Sequence, residues 1–316
     1  AENNMDTHIT VISDGFHLYR ATILAKRAGL TADTWSAYTK PLYVPTYWVR
    51  EWMALFQLLV LGHGQFAHGK ELTGYAGTTD ATCLLSAFLE TEGSPSLGYI
   101  RGDRFSLMVD AGTCPAHVGE YQNAVTAAGF RPPDFVALTH SHWDHCFGLG
   151  ALAIPSIACI QTRQSLELVS TLSWTPDGIQ ESIRRGILPR SCAPVIQEHF
   201  PDPASIRIVL PTVVFSGAMT LDLGNCTCRI QHVTSPHARD TTIVFVPEEH
   251  MVFLGDAVYQ ELRNEVWTEH PDKLRALVQE LEPLDFSVCL PGHQPPMNKQ
   301  DLLDWFARRI QKAERK

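Results

Sequence analysis

The chain has 316 residues and no apolar run long enough to cross a bilayer. Its best run, Trp52 to Gly62, is only eleven residues and reads as a buried helix, so no membrane partner is expected. Basic runs are also missing. The 34 acids outnumber the 25 lysines and arginines for a formal charge of −9, which argues against a phosphate-tracking surface. No nucleic-acid partner is therefore expected. The opening residues, Ala1-Glu2-Asn3-Asn4-Met5-Asp6, lack the basic-then-apolar order of a secretion signal. Cysteine clusters are missing too. The eight cysteines, Cys83, Cys114, Cys146, Cys159, Cys192, Cys226, Cys228 and Cys289, are scattered, and a chain of this size needs no disulfide staples. Reduced thiols and a cytoplasmic setting are expected. Cys226-x-Cys228 reads as small strand residues in preference to a metal pair, and Cys146 as a packing residue.

What is present is a dense group of potential metal ligands. Thr139-His140-Ser141-His142-Trp143-Asp144-His145 carries four of them in the pattern H-x-H-x-D-H. A short strand, Asp134 to Leu138, precedes it, and Gly148-Leu149-Gly150 allows a turn after it. Imidazole and carboxylate on a tight loop suit a borderline divalent cation such as zinc. His140 and His142 alternate and can point one way, while Asp144 and His145 can address a second point.

Three further candidates each follow a strand pattern. Thr227 to Val233 leads to His237, Met251 to Leu254 leads to Asp256, and Phe286 to Leu290 leads to His293. Upstream, Phe105 to Val109 runs into Asp110-Ala111-Gly112. Side chains at the ends of rigid strands are a common way to preorganise a site.

With these five motifs in order, the sequence from about residue 81 to 316 resembles the metallo-β-lactamase-fold hydrolase superfamily. The resemblance implies an α/β fold, a four-layer αββα sandwich. It implies a catalytic domain over 81–316, preceded by an extension of unassigned role over 1–80. It also implies two divalent metal ions, zinc by preference. His140, His142 and His237 would hold the first, Asp144, His145 and His293 the second, and Asp256 would bridge them. A water shared by the two cations would become the nucleophilic hydroxide. Asp144 would aim it, so Asp144 and Asp256 are the expected catalytic acids. Asp110 reads as an orienter of ligands. His117, His199, His232, His250 and His270 match no family ligand and take surface or structural roles.

Details within the pattern narrow the chemistry. Dedicated metallo-β-lactamases usually carry cysteine or serine where Asp256 stands, and flavodiiron relatives carry glutamate where His142 stands. Only 23 residues follow His293, enough for one helix, whereas glyoxalase II relatives place a helical domain there. The favoured function is hydrolysis of a small carboxylic ester, lactone or thioester. A phosphodiesterase or nuclease, and a mononuclear iron oxidoreductase like the sulfur dioxygenases, are the alternatives. Trp143, Phe147, Leu149, Tyr259 and Trp267 are expected around the site, with Arg239 and Arg263 as the few bases.

Secondary structure follows the same order. Ile9 to Ile12, Ala81 to Leu89 and Leu97 to Ile100 read as strands, and Tyr19 to Ala28 as a helix. His117 to Gly129 is predicted helical with Val118, Tyr121, Val125 and Ala128 inward, and helices are predicted over Gln164 to Leu172 and Pro176 to Leu188. Leu274, Leu277, Val278 and Leu281 form one face of a helix over Asp272 to Leu281. Asn298 caps a last helix over Lys299 to Gln311, with Leu302, Leu303, Phe306 and Ile310 inward. The aromatic stretch Tyr38, Tyr43, Tyr47, Trp48 and Trp52 is expected to bury against the catalytic domain or to mediate a homo-oligomer. His63 and His68 read as loop residues.

Overall fold

The computed structural model describes residues 94–263 and 265–315 in full. It also describes the backbone of four strands at 8–14, 31–37, 73–76 and 83–87. His63, His68, the Tyr38–Trp52 aromatics and the Tyr19–Ala28 helix lie outside the described residues. The chain divides into two units, Ala1–His68 and Gly69–Lys316. In the first, β1 (His8–Asp14) pairs in parallel with β2 (Thr31–Ala37), and the strand expected at Ile9 to Ile12 lies inside β1.

The larger unit is built on two mixed sheets. One runs in the order β3 (Thr73–Ala76), β4 (Cys83–Ala87), β5 (Leu97–Arg101), β6 (Ser106–Val109), β7 (Phe135–Ala137), β8 (Ser156–Cys159) and β9 (Val213–Phe215). It is antiparallel as far as β6 and parallel from there to β9. The other runs β10 (Ala218–Asp222), β11 (Thr227–His232), β12 (Thr242–Val246), β13 (Met251–Gly255), β16 (Val288–Pro291) and β17 (Met297–Asn298). A small hairpin, β14 (Glu261–Arg263) and β15 (Val266–Thr268), stands apart from both.

Burial sorts the side chains into layers. Ile100, Leu107, Val109 and Ile157 of the first sheet meet Cys228, Ile230, Val244, Phe253 and Leu290 of the second in a shared core. Strands buried on both faces need continuous apolar sequence, and SLMV, TIVFV and MVFLG supply it. Outside the first sheet pack helices α1 (Pro115–Ala127), α3 (Ile160–Ser170), α4 (Pro176–Arg184) and α5 (Cys192–His199), through residues such as Tyr121, Leu166, Ile179 and Ile196. The very short α2 (Trp143–Cys146) lies in the ligand loop. Outside the second sheet, α6 (Pro271–Leu281) and α7 (Lys299–Glu314) bury Leu274, Leu277, Leu281, Leu302 and Phe306. The result is the expected α/β/β/α order.

Most boundaries fall near their expected places, and the differences have local causes. The predicted Asn298 cap is present, its side chain accepting from the Asp301 amide at 2.8 Å. Helix α3 starts early because Cys159 accepts from the Thr162 amide. Helix α4 stops at Arg184 because Gly186 turns left-handed two residues on. Ala128, expected inward, is exposed at the end of α1. Cys226 and Cys228 are both buried in the inter-sheet core as free thiols, consistent with their reading as strand-region residues. Among the described residues, no helix is long and apolar enough to cross a membrane.

Phe306 has no exposed surface and anchors α7 on the sheet. Phe306→Ala is expected to cost about 3–5 kcal/mol in urea unfolding. Ala128→Ser on the exposed end of α1 should stay within about 0.5 kcal/mol of wild type.

Candidate metal centre

Every candidate ligand lies at one edge of the two sheets. β6 and β7 are parallel and deliver Asp110 and His140 side by side. β13 and β16 are also parallel and deliver Asp256 and His293. β11 runs antiparallel to β12, so the loop between them carries His237 to the same edge. The first sheet thus contributes Asp110 and the H-x-H-x-D-H loop, and the second contributes the other three.

The seven donors gather in two groups, His140 with His142 and His237, and Asp144 with His145, Asp256 and His293. In the first group, His237 Nε2 lies 3.0 Å from His142 Nδ1. In the second, His293 Nε2 is 3.1 Å from Asp144 Oδ2, and His145 Nε2 is 3.6 Å from the same oxygen. Asp256 touches both groups. Its Oδ1 is 3.3 Å from His145 Nε2, while its Oδ2 is 3.4 Å from His237 Nε2, 3.5 Å from His293 Nε2 and 4.0 Å from His140 Nε2.

The rear faces of the rings are fixed by hydrogen bonds. His145 Nδ1 donates to Asp110 Oδ2 at 2.7 Å. His140 Nδ1 donates to Thr139 Oγ1 at 3.1 Å, and that hydroxyl donates on to Asp110 Oδ2 at 2.9 Å. His237 Nδ1 donates to the Gln260 carbonyl at 2.9 Å. Each of these bonds keeps a proton on Nδ1 and turns Nε2 toward the cluster. His140 Nε2, His145 Nε2 and Asp256 Oδ1 are buried with no hydrogen-bond partner. Three orphaned polar atoms converging on one space, each costly to bury alone, fit a site for a cation.

Glycines let these groups approach. At Gly255, which has a φ of 48°, a Cβ would strike the Thr139 side chain. At Gly292 it would fall on Asp256 Oδ1.

The two halves differ electrically. Burial holds His140 well below the ordinary histidine range, helped by His145 and His142. His237 is lowered to about 4 by burial and by His142. In the acid-rich half burial also opposes charge, but the carboxylates win. Asp256, Asp110 and Asp144 hold His145 above its usual range, and Asp256 with Asp144 lifts His293 to about 10. Despite their burial, Asp144 and Asp256 stay below the usual carboxylate range because of His145 and His293.

Several supporting residues carry no sequence signal of their own. Thr139 relays His140 to Asp110, Gln260 serves only through its carbonyl, and Asp240 Oδ2 accepts the Ser141 amide at 2.9 Å. A hydroxyl directly before the first histidine is the one hint for Thr139. Cys146, beside His145, donates its thiol to the carbonyls of Ser141 and His142 and so braces the loop. Phe147 and Leu149, expected around the site, are instead buried in the core under α1 and α4, Phe147 edge-on to Trp174. His250 takes a left-handed turn on the surface, as expected of a structural residue.

Comparison with known proteins agrees on the fold. A sequence model described as the metallo-beta-lactamase superfamily matches residues 91–293. A metallo-beta-lactamase from Pontibacter korlensis superposes with a TM-score of 0.50 at 14% identity, covering 76% of this chain and 99% of that one. A metallo-beta-lactamase family protein from Thermus thermophilus gives 0.52 at 17%, covering 75% and 81%. A stereoselective inverting sec-alkylsulfatase from Pseudomonas sp. gives 0.52 at 14%, covering 74% of this chain and 40% of that one. No curated protein sequence matches.

Two outcomes follow from the geometry. Without a cation, His145 and His293 are protonated at neutral pH, and a metal must displace those protons to reach their Nε2 atoms. Zinc uptake at pH 7 should therefore release at least about two protons per chain into a weakly buffered indicator solution. Asp110→Asn should weaken zinc affinity about 10- to 100-fold in chelator competition.

Proposed function

The chain belongs to the metallo-beta-lactamase superfamily, whose members are mostly metal-dependent hydrolases, and on that premise we propose a dinuclear hydrolase. Its substrate is a small carboxylic ester, lactone or thioester. The observation that carries this reading is Asp256, whose two oxygens reach both donor groups, as a bridging ligand must. His140, His142 and His237 would hold one ion, Asp144, His145 and His293 the other. Two bound divalent cations, zinc by the imidazole and carboxylate donors, supply Lewis acidity and a water that ionises near neutral pH. The chain's own residues do the rest. Asp144 is ionised and offers an acceptor to orient a water. Asp110, Thr139 and Gln260 keep the imidazole rings from turning.

Acyl substrates are favoured over phosphodiesters by the surroundings. Among the described residues, no lysine or arginine is ion-paired with any of the seven donors. A phosphate bearing fixed charge is normally met by such cations. Tyr259 instead offers aromatic surface beside the donors. The Tyr259 ring lies 6.1 Å from His237 and 6.0 Å from His293.

The zinc-loaded chain is expected to cleave p-nitrophenyl esters and simple lactones faster than bis-p-nitrophenyl phosphate. Phosphodiester cleavage ahead of every ester and lactone would overturn the substrate class. One tightly bound iron and no second metal, by elemental analysis, would overturn the dinuclear reading. Asp256→Ala should lose more than the roughly 100-fold that removal of an outer hydrogen-bond partner costs, with the fold retained.

A further inference from the structure

A largely buried ion pair stands next to the donor set without belonging to it. Arg309 lies on α7, and Glu269 directly follows β15. Their contact is bidentate, Nε to Oε2 and Nη2 to Oε1, both at 2.9 Å. The two side chains are only 13% and 15% exposed. The remaining nitrogen, Nη1, donates to the Val258 carbonyl. One face of the guanidinium is covered by Trp305, whose ring centroid is 5.0 Å away.

What the pair grips is the chain just after Asp256. That chain turns at once, the Tyr259 amide donating back to the Asp256 carbonyl at 2.9 Å. Val258 and Gln260 flank Tyr259, and each is held. Arg309 takes the Val258 carbonyl directly, and Glu269 accepts from the Gln260 side-chain amide at 3.3 Å. The gripped segment in turn touches one histidine from each donor group. The Gln260 carbonyl accepts His237 Nδ1–H at 2.9 Å, and the Tyr259 hydroxyl accepts the His293 backbone N–H at 3.0 Å. Hydrogen bonds thus lead from α7, through residues 258–260, to His237 and to His293.

Stability alone is a poor reason for such a pair. Desolvation takes back much of the attraction between buried charges, and apolar residues of similar volume often hold a fold as well. Val258, Trp305 and Ile310 already pack in the neighbouring core, so apolar side chains would suit this place. What an apolar pair cannot do is fix the direction of a carbonyl and an amide. A planar fork using all three of its nitrogens does so. We propose that Arg309, with Glu269, is a positioning residue for the metal centre. From α7 it clamps the chain on both sides of Tyr259, and through that segment it sets the ring of His237 and the backbone of His293. This assignment rests on the metal-binding part of the hydrolase reading and is independent of the substrate.

The test separates placement from stability in the full chain. Arg309→Met alone leaves Glu269 buried and unpaired, and it should lower Tm by on the order of 10 °C. It should also weaken zinc binding about 10- to 100-fold in chelator competition. Arg309→Met combined with Glu269→Met removes both charges and should bring Tm back close to wild type. Zinc binding should stay weakened by the same factor, because the segment is no longer held. In metal-free, histidine-labelled protein at about pH 7, the nitrogen spectrum should show His237 as the Nδ1–H tautomer in wild type and as a mixture in the double variant. Zinc affinity that recovers together with Tm, or a His237 tautomer that the double variant leaves unchanged, overturns the assignment. Should wild type bind no zinc, the metal-binding reading falls, and the tautomer comparison still decides the clamp. If the double variant does not fold, Arg309→Lys decides it. Lysine keeps a charge for Glu269 but lacks the fork that also reaches Val258, and wild-type zinc affinity in that variant counts against the clamp.

Discussion

The centre depends on one buried carboxylate. Asp110 ends β6 with a φ of 63°, a left-handed conformation that costs a non-glycine residue about 1–3 kcal/mol. Its side chain answers that cost with three hydrogen bonds, from the Thr139 amide at 2.7 Å, the Thr139 hydroxyl and His145 Nδ1. The bonds join the end of β6 to the loop after β7. They orient two of the five imidazoles, one directly and one through Thr139. Were Asp110 extended like the strand before it, its carboxylate would leave this position, and neither ring would be fixed.

Around that anchor the donors are arranged against their own electrostatics. Three imidazoles crowd at one side, where burial keeps His140 and His237 neutral. Three carboxylates crowd at the other, where two protonated imidazoles hold them apart. Between the acids stand His145 and His293, both raised above the usual histidine range by those carboxylates. The same groups that hold those protons are the ones that would release them, so uptake of a cation exchanges one kind of positive charge for another at nearly the same place.

How much of this was readable in the sequence depends on how local each signal is. His140, His142, Asp144 and His145 fall within six consecutive positions, and His237, Asp256 and His293 each follow an apolar strand. All seven were legible, and the structure brings them together. The layer order was legible because SLMV, TIVFV and MVFLG are too continuously apolar for a half-exposed sheet. Helix α5 was not legible: Pro194 stands near its start, and among its residues only Ile196 is buried. Phe147 and Leu149 were placed by their nearness to His145 in sequence, but the chain turns away after α2 and buries them. Thr139, Gln260 and Asp240 act through contacts made only when distant strands meet. His117, read as surface or structural, is buried and accepts the Thr113 amide, a contact made only when α1 packs over the loop after β6.

The ligand loop also bears on how the two sheets stay together. Four of the seven donors belong to one sheet and three to the other, and the shared core between the sheets is apolar and without direction. Directional ties across this edge include the Ser141 amide to Asp240, the Thr162 hydroxyl to the Asp240 carbonyl, the Thr242 amide to the Thr139 carbonyl, the Ser96 amide to the Gly292 carbonyl, and the His142–His237 and Asp144–His293 contacts among the donors. A cation bound by His140, His142 and His237 would add a rivet through that seam, and one bridged by Asp256 a second. By mass action, such rivets would raise the resistance of the whole sandwich to unfolding with every tenfold gain in metal concentration above saturation. The seam would then be weakest in the freshly made, metal-free chain, which loading the centre would stiffen.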